Sequence, residues 1–392
     1  MSLQRNINRL YLFSFLKMML FPMAIITLFW KDQIGLSLTE IMFLQAVFAL
    51  ASLCLEFPSG YISDRLGYRF SLSLASLLGL IGWALYNLAN SFIDVLVAEI
   101  VLGISFAFIS GSDSALLFES LRQSNREEHY SRLEGRMTGW AQSGEAVGAI
   151  SAGLLYAAAP ILPFAIQIAV WIVALLVTLQ LRDAPPAEKI QRSHFTEMLE
   201  IWKFAWLENA GIRSTILLST CLGLASFYPV WLIQPFMQQS GVPLGWFGPV
   251  WAGANLTVAV FSVLSHRVTS FLGARGQLKL FFLLGFSGLL GLGLSLAVFS
   301  FLFYYLLTAM RGLQSPFSRH YLQVESNRSN RASLLSLKAF SFRLGFVLTG
   351  PIVGFCADRY GLNATFLFLA MAFLPLYLIL ARSFYRNNCL TP

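Results

Sequence analysis

Charge is scarce in this sequence: Asp, Glu, Lys and Arg together make up 12% of its 392 residues, about half the share usual in a soluble domain. A chain with so little charge cannot cover a water-facing surface, which excludes an ordinary soluble enzyme or binding module. Cysteine and histidine are also rare, four of each. Cys54, Cys221, Cys356 and Cys389 are scattered through apolar runs, and His129, His194, His266 and His320 follow no metal-ligand spacing. No disulfide framework, metal site or cofactor is therefore expected. Neither a nucleophile elbow nor a phosphate-cradling glycine loop is present, which speaks against an enzyme. A membrane-embedded enzyme and a transport-dead receptor remain as readings of another class. Met1–Arg9 is polar with no small-residue cleavage site after the first apolar run, so no removable leader is expected.

What the chain does have is apolar length: 57% of residues are hydrophobic and mean hydropathy is +0.67. Runs of about 20 residues, enough to cross a bilayer, fall at 10–30, 38–61, 71–90, 92–121, 132–158, 160–181, 211–234, 244–266, 277–298, 299–322, 333–357 and 363–382. This predicts an all-α integral membrane protein of twelve spans. With the N-terminus inside, only Lys31 and Arg359 fall on outer loops; Arg65, Arg69, Arg122, Arg126, Arg182, Arg267, Arg275 and Arg382 are among those at inner ends. The net charge of +8 is thereby explained by membrane orientation, without nucleic acid. A cytoplasmic (inner) membrane location with both termini cytoplasmic is expected, and a monomer.

The longest loop, 182–210, opens on Pro185-Pro186 and then repeats Phe195, Met198, Leu199, Trp202 and Trp206 at helical spacing, opposite Glu197, Glu200 and Glu208. It reads as an amphipathic surface helix, or a plain linker, joining a half at 1–181 to a half at 211–392. A weak repeat supports two six-helix halves: "LLFESLRQSNR" at Leu116–Arg126 is echoed by "LQVESNRSNR" at Leu322–Arg331. Paired repeats of this kind place a ligand near the bilayer midplane.

Between spans two and three stands "GYISDRLGYRF", with Gly60, Asp64, Arg65, Gly67 and Arg69. It resembles the signature of the major facilitator superfamily: glycine, three residues, Asp, a basic residue, any residue, glycine, then two basic residues, the first of which is Tyr68 here. The resemblance covers essentially the whole chain and implies the twelve-helix, pseudo-symmetric major facilitator fold. It also implies a latch in which Asp64 faces the positive N-terminus of span eleven and Arg69 reaches an acid at the end of span four, with Glu119 the candidate. The alternative is that these residues only anchor orientation. The second-half counterpart, "SHRVTSFLGARG" at Ser265–Gly276, keeps Arg267, Gly273 and Arg275 but has no acid.

Ionisable residues inside spans are costly, so each is a functional candidate or internally paired. They segregate by half. Glu56, Glu99, Asp113, Glu119 and Glu145 lie in the first; Arg311, Lys338 and Arg343 lie in the second, where the only acid across Gly211–Ala357 is Glu325. Glu145 is the first candidate for proton coupling and Glu99 the second, while Lys17 and Glu56 are placed to neutralise one another. Glu145 can equally be a salt-bridge gate for Arg311 or Arg343. Those two arginines can instead hold a substrate carboxylate or phosphate, with Gln142, Tyr228, Trp231, Trp251 and Asn255 lining the cavity.

Drug:proton antiporters of the superfamily usually carry an Arg four residues before a glycine in span four and a Gly-Pro in span five. Here "EIVLG" puts Glu99 before Gly103, and span five has Gly139, Gly144, Gly148 and Gly153 but no proline. Small residues at such spacing allow close helix packing. The expected function is secondary active transport of a small amphipathic organic compound by alternating access, with protons as coupling ion, in the manner of drug or metabolite efflux. The alternative is an organic anion carrier, for example of a carboxylate siderophore.

Overall fold

The computed structural model describes residues 3–183, 200, 202–324 and 331–388. Helices dominate: α1 Leu3–Met18, α2 Leu38–Leu66, α3 Tyr68–Leu88, α4 Phe92–Ile109, α5 Ser112–Arg122, α6 Tyr130–Ala158, α7 Leu162–Leu179, α8 Ala210–Gln239, α9 Phe247–Leu294, α10 Leu302–Val324, α11 Arg331–Tyr360 and α12 Leu362–Asn388. Eight segments among the described residues are long and apolar enough to cross a membrane. One of them contains α9, which holds two crossings, because Gly273 interrupts it with φ 62° and ψ 178°. α1, α6 and α10, richer in charged residues, supply the remaining expected spans.

The first span is not the unbroken 10–30 helix that hydropathy suggests. α1 starts at Leu3 and stops at Met18; turns lead through Pro22 into a one-turn helix and a π-helical coil at Phe29–Ile34. Proline has no N–H to donate, and a freed backbone group inside a membrane needs another partner. Fully buried Gln167 supplies one: its Oε1 accepts from the Phe21 N–H at 3.0 Å. α2 then starts on a capping box, the Glu40 N–H donating to Ser37 Oγ and the Ser37 N–H to Glu40 Oε2. Span four is two helices, α4 and α5, divided at Gly111, where φ is 80°.

The chain forms two compact units, Met1–Lys189 with Pro243–Ala252, and Ile190–Val242 with Gly253–Pro392. The division in sequence falls within the proline-bearing loop. Residues 243–252 group with the first unit because glycines let backbones touch: a Cβ on Gly153 would overlap the Leu244 carbonyl, and one on Gly248 the Ala149 carbonyl. Gly144 and Gly148 of the same glycine-spaced helix, α6, seat it against Phe15 and Met19–Leu20 in the same way. Most of the expected amphipathic helix, 184–199, lies outside the described residues, as does the echo segment at 325–330. Near the C-terminal end of that loop, Ala205 is fully buried against Ile212, Ile216, Leu322 and Leu334, fixing Phe204–Glu208 to the second unit.

Candidate functional site

The glycine turn between α2 and α3 carries most of the residues expected to act as a latch. α2 runs through Leu66, so Gly60, Asp64 and Arg65 are helical and only Gly67 makes the turn, with φ 95° and ψ 152°. This corrects the expected loop: helical hydrogen bonding continues beyond the expected end of the span at 61 because Gly67 itself closes the helix, its N–H donating to Ser63 O. Asp64 accepts from Tyr68 Oη at 3.2 Å, and Arg65 lies 5.0 Å over the Tyr61 ring.

Arg69 does not close on Glu119. Its guanidinium donates to Leu179 O at 2.7 Å, and its backbone N–H donates to Asp183 Oδ1 at 2.7 Å, so the acid at the start of α3 comes from the end of the sixth span. A carboxylate there opposes the positive end of the helix dipole. Glu119 instead pairs with Arg122 one turn away, at 2.8 Å, a geometry that helix spacing makes easy. A Cβ at Gly67 would overlap the Asp183 carboxylate, and the backbone conformation belongs to glycine alone. Gly67→Ala is expected to lower stability by roughly 1–3 kcal/mol, read as a lower thermal midpoint in detergent. The added Asp183→Ala should recover only the overlap, not the strain.

Two acids of the first unit are buried and differ in what faces them. Asp113 forms an ion pair with Lys17, which corrects the expected Lys17–Glu56 neutralisation; Glu56 is exposed. The kink at Gly111 restarts the helix so that Asp113 stands in the first turn of α5 facing α1.

Glu99, on α4, is 4% exposed. Its Oε2 accepts from Gln45 Nε2 at 3.0 Å, and its Oε1 accepts from Tyr86 Oη. Both donors are neutral, and among the described residues no cation pairs with this carboxyl. Tyr86 is itself set among aromatic rings: it stacks on Trp30 and Trp83, with Phe164 beside it at 5.5 Å. Glu145 is half-buried on α6 and Gln142 on the same helix is exposed. Both belong to the first unit, as does buried Trp251.

In the second unit, α8, α10 and α11 are cross-braced by polar groups. Arg311 donates from Nε to Ser226 Oγ at 3.3 Å and from Nη2 to Ser226 O, and lies 5.9 Å from the Phe227 ring centre. Tyr228 Oη shares a hydrogen with Thr349 Oγ1 at 2.6 Å and its ring stacks on Phe346. Gln314 Nε2 donates to both Ser219 O and Ser219 Oγ, at 2.8 and 3.0 Å. Trp231 is buried; Asn255 and Arg343 are half-buried. Beside the braces lies a cavity of about 360 Å³.

Sequence reading missed Gln45, Tyr86, Asp183 and the Gln314–Ser219 pair. The signal for three of them was present: Gln45, Tyr86 and Gln314 are hydrogen-bonding residues in the midst of apolar spans, where each must find a partner.

Membrane-length helices in two units, each bracing buried polar and charged side chains, define a multi-pass membrane protein. The sequence model of the Major Facilitator Superfamily matches residues 10–318, and the chain belongs to that family. An uncharacterized MFS-type transporter, YxaM, of Bacillus subtilis (strain 168) is 24% identical over 376 residues, covering 89% of this chain and 88% of the relative. Among solved structures, the nucleoside transporter NupG superposes with a TM-score of 0.83 at 14% identity, covering 98% of this chain and 99% of its own. A bacterial homolog to the human lysosomal transporter Spinster, in an inward-facing and unoccupied conformation, gives 0.75 at 14% identity, covering 98% and 97%. At these identities the structures speak for the fold. The protein is a secondary transporter with the twelve-helix fold, not an enzyme.

Proposed function

We propose that the protein is a proton-coupled carrier of a small amphipathic organic molecule, working by alternating access, with Glu99 taking and releasing the coupling proton. The observation that carries this is the buried Glu99 carboxyl with only Gln45 and Tyr86 as donors. Two neutral donors can satisfy the charged form, and uptake of a proton removes the cost of holding an uncompensated charge away from water. Asp113, by contrast, has a cation, Lys17, as its partner. Glu145 is the second candidate, reversing the order that depth along the helices suggested. In this reading the protein sits in the cytoplasmic membrane with both termini inside, which the placement of the basic residues supports. Gly60, Asp64, Arg65, Gly67, Arg69 and Glu119 serve its inner closure.

The test is reconstitution in liposomes carrying an internal pH dye, with lipophilic cations and organic acids offered in turn. Wild-type protein should show ligand-dependent proton flux, and Glu99→Gln, which keeps the shape and a hydrogen-bond acceptor, should reduce it at least tenfold. Flux that survives in Glu99→Gln and disappears in Glu145→Gln would transfer the role to Glu145. Ligand movement with no proton flux in either protein would end the coupling proposal.

A further inference from the structure

The cavity of the second unit is built from one face of each of three helices. α8 contributes Ser219 and Gly223, four apart; α10 contributes Ser315 and Arg319, four apart; α11 contributes Leu335, Lys338, Ala339 and Phe342 at intervals of three and four. At about 360 Å³ it falls within the range of small-molecule sites.

Its lining is of two kinds. Phe342 packs edge-on against Phe227 at 5.2 Å and reaches its place because position 223 is glycine, where a Cβ would lie 3.0 Å from the ring. With Leu335 and Ala339 it supplies the apolar part of the lining. Arg319 and Lys338, from different helices, line the same cavity and are close enough for their like charges to act on one another. Among the described residues no carboxylate pairs with either. The sequence offers almost none: Glu325 is the only acid from Gly211 to Ala357, and it lies outside the described residues.

Arg319 is exposed and Lys338 half-buried; two like charges on facing helices, with no carboxylate on either among the described residues, repel one another unless something negative joins them. We propose that this cavity binds an organic oxyanion, with Arg319 and Lys338 on its carboxylate or phosphate and Phe342 and Leu335 against its apolar body. Arg311, the expected anion ligand, is occupied in tying α10 to α8 through Ser226, and the anion-binding role passes two turns along α10 to Arg319. The inference rests on the carrier reading and sharpens it, naming an amphipathic anion as the class of substrate. A phospholipid headgroup offers the same oxyanion, so the test separates the two sources.

The experiment measures thermal stabilisation of the purified full-length protein in nanodiscs of neutral phosphatidylcholine, titrated with benzoate, phenyl phosphate and uncharged benzamide. The anions should stabilise saturably and benzamide should not. Lys338→Gln and Arg319→Gln should each weaken anion binding at least about tenfold, the loss expected for one charge-assisted contact, while Lys338→Arg should stay within a few-fold of wild type. Independently of folding in any variant, benzoate should slow reaction of wild-type Lys338 with an amine-directed reagent, read by mass spectrometry. Equal binding of benzamide, or undiminished anion binding in both Gln variants, would overturn the proposal. So would stabilisation produced only by phosphatidylglycerol in the disc and by neither soluble anion. The assay contains no gradient, so its failure leaves proton coupling by Glu99 standing, and absent proton flux in liposomes leaves anion binding standing.

Discussion

Asp113→Ala is expected to destabilise the protein by about 3–5 kcal/mol, the cost of leaving one partner of a buried ion pair alone. Lys17 and Asp113 have side chains only 17% and 8% exposed, and they join α1 to α5. Asp113 also accepts the Ser114 N–H through Oδ1 at 2.8 Å, so its removal opens a backbone bond as well. The remaining ammonium group would keep only the Phe13 ring, 5.9 Å away, and a cation over a ring replaces little of an ion pair. Removing both charges tells the two costs apart. Lys17→Met with Asp113→Leu should return to within about 1 kcal/mol of wild type, since an apolar pair of similar volume is often as stable as a buried ionic one. Thermal midpoints in one detergent, single variants against the double, supply the measurement. Equal instability of single and double variants would mean that shape, not charge, is what Asp113 provides.

Gly144→Val should prevent accumulation of folded protein. The added Cβ would overlap the Phe15 carbonyl oxygen, a backbone atom of α1. A flexible side chain could move aside; a helix backbone packed along its length can move only as a unit. The cost therefore lies at or beyond the upper end of overpacking, about 3 kcal/mol or more. Gly139, on the same helix, meets nothing within 4 Å, so Gly139→Val gives the control: it should run as a single sharp peak in size-exclusion chromatography where Gly144→Val does not. Similar profiles for the two would show that α1 and α6 are not held at this distance.

The spans and the glycines of α6 were legible because both are properties of one segment at a time. Hydropathy reports whether a stretch prefers lipid, and regular small residues report a close neighbour, without saying which. Partners were not legible. Lys17 and Asp113 are 96 positions apart, and the Arg69 N–H and Asp183 are 114 apart; which donor meets which acid depends on the rotation of helices about their axes, and hydropathy leaves that open. Depth points Lys17 to Glu56, and the family signature points Arg69 to Glu119, yet Lys17 meets Asp113 and the Arg69 guanidinium meets Leu179 O. Depth also ranked Glu145 above Glu99, although what sets Glu99 apart is the neutrality of Gln45 and Tyr86 across from it. The break in the first span had a visible cause in Pro22, yet the residue that makes the break tolerable, Gln167, lies in the sixth span.

The glycine turn at Gly67 has a twin. Gly273, in α9, adopts nearly the same conformation, and each glycine stands midway between two polar residues that bond across it: Ser63 with Ser71, Thr269 with Gln277. Two residues after each comes an arginine that reaches the last helix of its own unit, Arg69 to Leu179 and Arg275 over the Tyr385 ring at 4.5 Å. The molecule thus contains its own control experiment. Ser270 occupies in the second turn the place of Asp64 in the first, and the turn forms all the same. What the two turns share is glycine and a cross-turn hydrogen bond, and an acid at the place of Asp64 is not needed for their shape.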